Sequence, residues 1–234
     1  MPGDALKPDT GRAGVVLAGG RSRRFERGDK ALATLAGTAL LRHAVRAVDP
    51  VVDEVVVSCR DDQTERFAAV LGGYDVSFAV DPIDGLGPVA GLQTALRETD
   101  RVTAVVTACD TPLVPSAFLG HLLDRVEHAT TAGVVTEADA ELQPLPMAVN
   151  VRAAAAACTE TLVGSGSLRD VIESLAPVVI RERAVRAAVG PDRLLDVDTR
   201  ADLARAERLL ARVTGPSGGS NDLRDDGEMR PNSR

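Results

Sequence analysis

Residues 13–20 read Ala-Gly-Val-Val-Leu-Ala-Gly-Gly, an apolar run that ends in two glycines, and Lys30 follows shortly afterwards. An uninterrupted apolar run of this length is typical of a strand that is buried on both faces of a parallel sheet. Similar short runs recur along the chain, so we predict six strands: Ala13–Ala18, Glu54–Cys59, Val76–Val80, Thr103–Ala108, Gly133–Thr136 and Leu145–Val149.

Helical patterns stand between these runs, at Thr38–Val48, Gln63–Leu71, Pro88–Arg97, Ser116–His128 and Val151–Leu162. Strands that alternate with helices indicate an α/β fold, in which helices cover both faces of a mostly parallel sheet. Such folds bind ligands beyond the carboxyl ends of the strands. We therefore expect the functional residues to follow strands directly.

The length of 234 residues suits a single domain. We expect a flexible N-terminal arm over residues 1–12, the folded domain over 13–213, and a disordered tail over 214–234, where Gly, Ser, Asp and Arg predominate. The net charge of −7 argues against nucleic-acid partners. The absence of a long apolar run argues against a membrane partner, and three widely spaced cysteines fit a reducing cytosol. We expect a cytoplasmic protein.

The first glycine pair predicts a phosphate-handling site. Glycines allow the backbone to approach a ligand closely, and Lys30 would supply a compact positive charge. The only other lysine is Lys7, in the expected arm. Neither Gly-x-Gly-x-x-Gly nor a P-loop is present, because Gly14 to Ser22 contains one residue too many and has Arg21 where lysine is required. The alternative is an ordinary glycine turn beside solvated arginines.

Two aspartates follow the third and fourth predicted strands. Asp81 ends the third strand and could accept a hydrogen bond from a nucleobase or a ribose, whereas Asp110 could hold Mg²⁺ that bridges nucleotide phosphates. Either aspartate could instead be only a turn residue.

A second pair of carboxylates occurs late in the chain. Asp196 and Asp198 alternate with apolar residues, which predicts that both lie on one side of a short strand. Thr199 and Asp202 resemble a capping box that begins the final helix. Asp198 could be a second metal ligand, or it could be a carboxylate that the helix dipole favours.

Taken in order along the chain, these motifs resemble the molybdenum cofactor guanylyltransferases. The resemblance covers about residues 13–212 and rests on five segments: Leu-Ala-Gly-Gly-x-Ser-x-Arg through Asp29-Lys30-Ala31-Leu32, Gly87-Pro88-x-Ala90-Gly91-Leu92, Cys109-Asp110-Thr111-Pro112, Gln143-Pro144, and Asp196-Val-Asp198-Thr199-x-x-Asp202-Leu203. Members of this family are Rossmann-like nucleotidyltransferases with a single three-layer α/β/α domain.

The resemblance implies transfer of GMP from Mg-GTP to molybdenum-molybdopterin, with release of pyrophosphate. GTP and a molybdopterin-type acceptor would then be the substrates, and molybdoenzymes or their chaperones are candidate partners. Matching positions imply roles for these residues: Leu17, Ala18, Gly19, Gly20, Lys30, Asp81 and Asp110 in nucleotide binding; Lys30, Asp110 and Arg24 in catalysis; Asp110 and Asp198 in Mg²⁺ binding.

The chain departs from the family pattern in several places. Members usually have Arg-Met-Gly before Asp-Lys, whereas this chain has Arg24-Phe25-Glu26-Arg27-Gly28 there, and the midchain substrate-binding segment keeps little beyond Gln143-Pro144. Ser58 stands where members have a nucleotide-contacting Asn, and Asp196-Val-Asp198 replaces the Asn-x-Asn of many members. Several alternatives stay open: cytidylyl transfer to molybdopterin, guanylyl transfer to cobinamide phosphate or phospholactate, nucleotidyl transfer to a sugar phosphate, and a non-catalytic GTP-binding adaptor.

Overall fold

A seven-stranded sheet forms the centre of the structure. The structure is a computed structural model that describes residues 11–20, 25, 28–82, 85–138, 140–190 and 192–214. The strands are β1 (Arg12–Leu17), β2 (Thr34–Leu35), β3 (Thr38–Ala39), β4 (Glu54–Cys59), β5 (Val76–Val80), β6 (Thr103–Ala108), β7 (Gly133–Ala138), β8 (Glu141–Asn150) and β9 (Val178–Ile180). Strands β2 and β3 form a separate hairpin, and the others form the central sheet.

Helices cover both faces of this sheet. They are α1 (Leu40–Val48), α2 (Thr64–Val70), α3 (Pro88–Arg97), α4 (Ser116–Glu127), α5 (Val151–Val163), α6 (Leu168–Ser174), α7 (Glu182–Val189) and α8 (Arg200–Thr214). Apolar side chains of α1, α2, α4 and α7 pack on one face, and those of α3, α5 and α6 pack on the other. The predicted three-layer α/β/α fold is confirmed.

The strand order is β5-β4-β1-β6-β8-β7-β9. Strands β5, β4, β1 and β6 are parallel neighbours, whereas β8 is antiparallel to both β6 and β7. The chain moves outwards from β1 through β4 and β5, and then returns to the other side of β1 as β6. Such a reversal opens a crevice at the carboxyl ends of the strands, where open α/β sheets bind ligands.

Several details differ from the sequence-based predictions. The first helix begins at Leu40 rather than Thr38, because Thr38–Ala39 pairs with Thr34–Leu35 in the hairpin. The prediction of a short strand around Asp196 and Asp198 is wrong, because the structure describes this segment without a strand. Val197 N instead donates to the Asp110 carbonyl at 2.8 Å. The prediction also lacked α6, β9 and α7.

A third apolar cluster lies outside the two sheet faces. It joins α8 to the hairpin region and contains Phe25, Leu35, Leu40, Leu113, Val197 and Ala206. The predicted capping box begins α8, since Thr199 Oγ1 accepts from Asp202 N at 3.2 Å and Asp202 Oδ2 accepts from Thr199 N at 2.8 Å. Within the described ranges, every helix is too short or too polar to cross a bilayer.

We predict that Gly14→Ala destabilises the protein. A Cβ atom at Gly14 would lie 2.0 Å from Val48 Cγ1, so α1 could not pack as closely on β1. Overpacking of this kind costs roughly 1–3 kcal/mol, measurable by denaturant unfolding. The control is Gly72→Ala, where the nearest atom to a new Cβ is 3.8 Å away. Equal stability of the two variants would contradict the prediction.

We also predict that His43 makes stability depend on pH. This buried imidazole donates from Nε2 to the Leu35 carbonyl at 2.9 Å, and its Nδ1 accepts from Arg46 Nη2 at 2.9 Å, so it is neutral. Burial lowers the pKa of His43, and the Arg46 charge adds to this effect against the opposing Leu35 hydrogen bond.

The unfolded chain therefore takes up a proton at His43 before the folded protein does. This contribution to stability is complete above about pH 6.5 and is lost as the pH falls below that value, by at most about 1.4 kcal/mol per pH unit. The free energy of unfolding of His43→Gln should lack this pH dependence between about pH 5 and 7. His121 is exposed, so His121→Gln should retain it. Identical pH profiles for wild type and His43→Gln would refute the assignment.

Candidate functional site

The carboxyl ends of four parallel strands are joined by hydrogen bonds that continue beyond the strands. Ala18 N donates to the Ser58 carbonyl at 2.9 Å, Asp81 N to Cys59 at 3.0 Å, and Cys109 N to Leu17 at 3.1 Å. The loops after β1, β4, β5 and β6 therefore lie side by side. Because the parallel register fixes this arrangement, residues that are far apart in sequence meet at one edge of the sheet.

A cavity of about 520 Å³ opens at this edge. Its size lies in the usual range for small-molecule sites. Of the residues predicted to bind nucleotide, Leu17, Gly19, Gly20, Asp81 and Asp110 line it; its other lining residues include Ser58, Arg60, Gly85, Gly87, Pro88, Gly91, Leu145 and Leu168. Ala18 is buried beneath the glycine turn and contributes the backbone hydrogen bond to Ser58.

Lys30 lies between two carboxylates. Its Nζ donates to Asp110 Oδ2 at 2.6 Å and to Asp198 Oδ1 at 2.8 Å, and all three side chains are partly buried or half-exposed. Burial disfavours the charged ammonium, but the charges and hydrogen bonds of Asp110 and Asp198 outweigh this effect, so the pKa of Lys30 is raised. Lys30 is therefore protonated at every physiological pH.

Asp196 adds a third carboxylate to this cluster. Desolvation, together with the negative charges of Asp110 and Asp198, raises the pKa of Asp196 to about 6. The Asp196 residue itself is exposed. Among the residues that the structure describes, this cluster contains three carboxylates and one ammonium.

Side chains that follow β4 hold the glycine turn in place. Arg60 Nη1 donates to the carbonyls of Gly19 at 2.9 Å and Gly20 at 3.0 Å. Because the peptide bond is trans and planar, the Gly20 N–H points away from the Arg60 guanidinium. A Cβ at Gly20 would meet nothing within 4 Å, so there is open space beside the turn.

The wall opposite the glycine turn is tightly packed. A Cβ atom at Gly91 would lie 2.6 Å from Ser58 Oγ and 3.3 Å from Asp81 Oδ2. This glycine therefore allows α3 to lie against the two polar side chains that line the cavity. Gly87, which precedes Pro88 at the start of α3, has a φ of 84°, a conformation that glycine adopts without strain.

Sequence reasoning did not identify two residues of this region. Arg60 lines the cavity and contacts the glycine turn, and Gln63 is completely buried behind it. Their only signal in the sequence was their place directly after a predicted strand. Arg24, which was predicted to be catalytic, lies outside the described residues.

The cysteines are buried structural residues. All three thiols are free and buried, and desolvation raises the pKa values of Cys59 and Cys109 and raises that of Cys158 to about 12. Cys109 is therefore a poor nucleophile despite its position beside Asp110.

Comparison with known proteins identifies the family. Residues 14–178 match the model of the MobA-like NTP transferase domain. A probable molybdenum cofactor guanylyltransferase from Haloferax mediterranei is 45% identical over 196 residues, which cover 83% of this chain and 92% of that protein. The chain belongs to the MobA-like NTP transferase family. The resemblance drawn from the sequence motifs is confirmed.

Other relatives agree with this assignment. A probable molybdenum cofactor guanylyltransferase from Natronomonas pharaonis is 34% identical over 201 residues, which cover 86% of this chain and 98% of that protein. The crystal structure of molybdopterin-guanine dinucleotide biosynthesis protein A from Archaeoglobus fulgidus superposes with a TM-score of 0.73 at 26% identity, covering 86% of this chain and 99% of that one. This MobA-like protein is a nucleotidyltransferase.

The donor set at Lys30 fits a hard divalent cation. Asp110 and Asp198 present carboxylate oxygens to one point, and Mg²⁺ prefers such oxygens while it keeps several water or phosphate ligands. No cluster of three or more His, Cys, Asp or Glu side chains in metal-binding geometry occurs among the residues that the structure describes. Two protein carboxylates are consistent with the way Mg²⁺ is held in nucleotide sites.

We predict that Gly91→Ala weakens nucleotide binding more than it affects folding. The new methyl group would displace Ser58 or Asp81 from the cavity wall. We expect the Kd for GTP, measured by calorimetry, to rise about tenfold. Unfolding stability should change by less than about 1 kcal/mol, because alanine also favours the helix. A Kd equal to that of the Gly72→Ala control would show that this wall does not contact nucleotide.

Proposed function

We propose that this protein transfers GMP from GTP to a molybdopterin-type acceptor and releases pyrophosphate. The observation that carries the proposal is that the glycine turn and Asp110 line one cavity at the carboxyl edge of the sheet, and that Lys30 donates to Asp110. Family membership supports the reaction class, and the names of relatives at 45% and 34% identity support the acceptor.

In this reaction an oxygen of the acceptor phosphate attacks the α-phosphorus of GTP. The bond between that phosphorus and the pyrophosphate oxygen breaks, and pyrophosphate departs. The acceptor oxygen is already ionised, so the protein needs no strong general base. Catalysis then consists of positioning the two phosphates and offsetting negative charge.

Each residue of the site has a role under this proposal. The backbone of Gly19 and Gly20 approaches the phosphates, and the Lys30 ammonium offsets the charge that develops on pyrophosphate. Asp81, beside Ser58 and Gly91, accepts a hydrogen bond from the nucleoside. Leu17 and Ala18 form the floor of the nucleotide site. Arg24 is proposed to assist Lys30.

Asp110 and Asp198 are proposed to hold Mg²⁺. When it is bound, the ion supplies Lewis-acid neutralisation of the triphosphate. If these aspartates bind Mg²⁺, the ion would share the two carboxylates with Lys30. Both aspartate side chains are partly exposed, so an ion could reach them.

The wider setting follows the sequence-based expectations. We propose that residues 13–213 suffice for the reaction and that the protein works in the cytoplasm. The net charge of −7 favours small-molecule substrates over nucleic acid. Molybdoenzymes or their chaperones would receive the product.

The test is pyrophosphate release from GTP, CTP or ATP with Mg²⁺, with and without a molybdopterin-loaded acceptor protein. We expect release only with GTP and the acceptor. Release with CTP would instead indicate cytidylyl transfer. GTP binding without release would indicate either another acceptor, such as cobinamide phosphate or phospholactate, or a non-catalytic adaptor.

Variants of the lysines sharpen this test. We expect Lys30→Ala and Asp110→Asn each to lower kcat/KM by at least about 100-fold, because the first removes the ammonium that offsets phosphate charge and the second removes a proposed Mg²⁺ ligand. Lys7→Ala is the matched control and should retain wild-type turnover. Activity of Lys30→Ala within about twofold of wild type would exclude a transition-state role for this residue.

A further inference from the structure

Gln63 connects two parts of the site from behind. Its side chain is completely buried, and its amide forms hydrogen bonds in three directions. Nε2 donates to Asp29 Oδ2 at 2.6 Å and makes a longer contact of 3.4 Å with the Ala18 carbonyl. Oε1 accepts from Arg60 N at 2.8 Å. One side chain therefore contacts the strand end before the glycine turn, the residue before Lys30, and the loop after β4.

Asp29 carries this connection to Lys30. Its carboxylate is 5% exposed, and its Oδ1 accepts from Ala31 N at 3.2 Å. The Asp29 carbonyl also accepts from Leu32 N at 3.0 Å. These bonds hold the short helical turn Lys30–Leu32, so the position of the Asp29 carboxylate determines where the Lys30 side chain begins.

The same loop after β4 holds the glycine turn. Arg60 donates to the carbonyls of Gly19 and Gly20, and its backbone N–H is the group that Gln63 Oε1 accepts from. The distance between the glycine turn and the lysine turn is thus fixed through Arg60 and Gln63. An amide suits this place, since it donates to a carboxylate and accepts from a backbone N–H at once.

We propose that Gln63 is a positioning residue that sets the place of Lys30 relative to the glycine turn through Asp29. Gln63 itself does not line the cavity, so it would act on the reaction only through the groups that it orients. The kinetic part of this inference rests on the proposed function, whereas the structural part concerns the environment of Lys30 alone.

A purely architectural glutamine would behave differently. Its loss would lower stability but would leave the Lys30 ion pairs of the remaining folded molecules intact. If Gln63 positions Lys30, its loss weakens the contacts with Asp110 and Asp198 in molecules that are still folded. The Lys30 side chain is then released from its partners, and its amine becomes more accessible to a reagent.

Acylation of lysine measures directly whether Lys30 keeps its contacts with Asp110 and Asp198. The chain has only two lysines, so the two acetylation rates can be followed separately. The rate of acetylation of Lys30 by acetic anhydride is followed by peptide mass spectrometry, with Lys7 in the same molecule as the internal reference. An ammonium held by two carboxylates is shielded from the reagent, so a threefold rise in the population of molecules with Lys30 released from them raises the rate about threefold.

Two variants separate the bonds of Gln63. Gln63→Met keeps the length of the side chain and removes all three hydrogen bonds. Gln63→Glu keeps the acceptor for Arg60 N but places a carboxylate against Asp29. The matched control is Gln93→Met on α3, where Gln93 Nε2 donates to Thr159 Oγ1 at 2.7 Å, away from the cavity lining.

We expect Lys30 in both Gln63 variants to acetylate at least about threefold faster than in wild type, with Lys7 unchanged. The kcat for guanylyl transfer should fall at least about tenfold while the KM for GTP changes less than about threefold, since misplaced groups affect the chemical step most. Gln93→Met should match wild type in every measurement.

The proposal would be overturned if folded Gln63→Glu and Gln63→Met both had the Lys30 acetylation rate and the kcat of the wild type. An effect of Gln63→Met alone would also overturn it, because the Arg60 bond and not the Asp29 bond would then be responsible. If Gln63→Met does not fold, Gln63→Asn, which shortens the amide, is measured in its place and read by the same criterion. Absence of guanylyl transfer in wild type would refute the proposed function, and the acetylation rates would still decide the role of Gln63.

Discussion

The ion pairs of Lys30 with Asp110 and Asp198 are the interaction on which the arrangement of the site depends. They join positions that are 80 and 168 residues apart in the chain. Asp110 comes from the end of β6, and Asp198 comes from the segment that leads into α8. The Lys30 ammonium therefore bridges two carboxylates that repel each other, and a phosphate that approaches Lys30 must share the ammonium with them.

Each member of this cluster is supported by a different part of the fold. Asp110 lies two residues beyond β6, whose ladder with β1 ends at Ala108, and the Asp110 carbonyl accepts from Val197 N. Asp198 N donates to Asp202 Oδ2 at 3.2 Å, so the capping box of α8 also orients the segment that carries this carboxylate. The apolar cluster between α8 and the hairpin region keeps that segment against the sheet edge. Helix α8 thus contributes to the site although it lies outside the two sheet faces.

How far the sequence predicts this structure depends on how local the signal is. Strands β4, β5 and β6 and helix α3 match their predicted bounds, because each is a continuous pattern with its own punctuation, such as Gly87 and Pro88. Strand β9 has three residues and α6 has seven, so neither has enough periodicity to be recognised. The segment around Asp196 alternates like a strand, but it has no paired neighbour in the described structure.

The same distinction applies to the candidate site. Glycines, Lys30 and the aspartates at strand ends could be selected because parallel strands send their carboxyl ends to one edge. Arg60 and Gln63 could not, because their importance comes from contacts with Ala18, Gly19 and Asp29 that only the folded chain creates. A buried glutamine has no motif, and its meaning lies in which groups it satisfies.

The charge of the cluster links nucleotide and cation. Asp110, Asp196 and Asp198 surround one lysine, and the raised pKa of Asp196, about 6, reflects desolvation first and then the two neighbouring carboxylates. Carboxylates outnumber ammonium groups among the described residues of this cluster, and a triphosphate alone would add further negative charge beside them. A divalent cation on Asp110 and Asp198 would relieve both repulsions, so each ligand would improve the affinity of the other by the same factor. Because this coupling is a property of the charges rather than of any one hydrogen bond, it would persist even where individual contacts rearrange on binding.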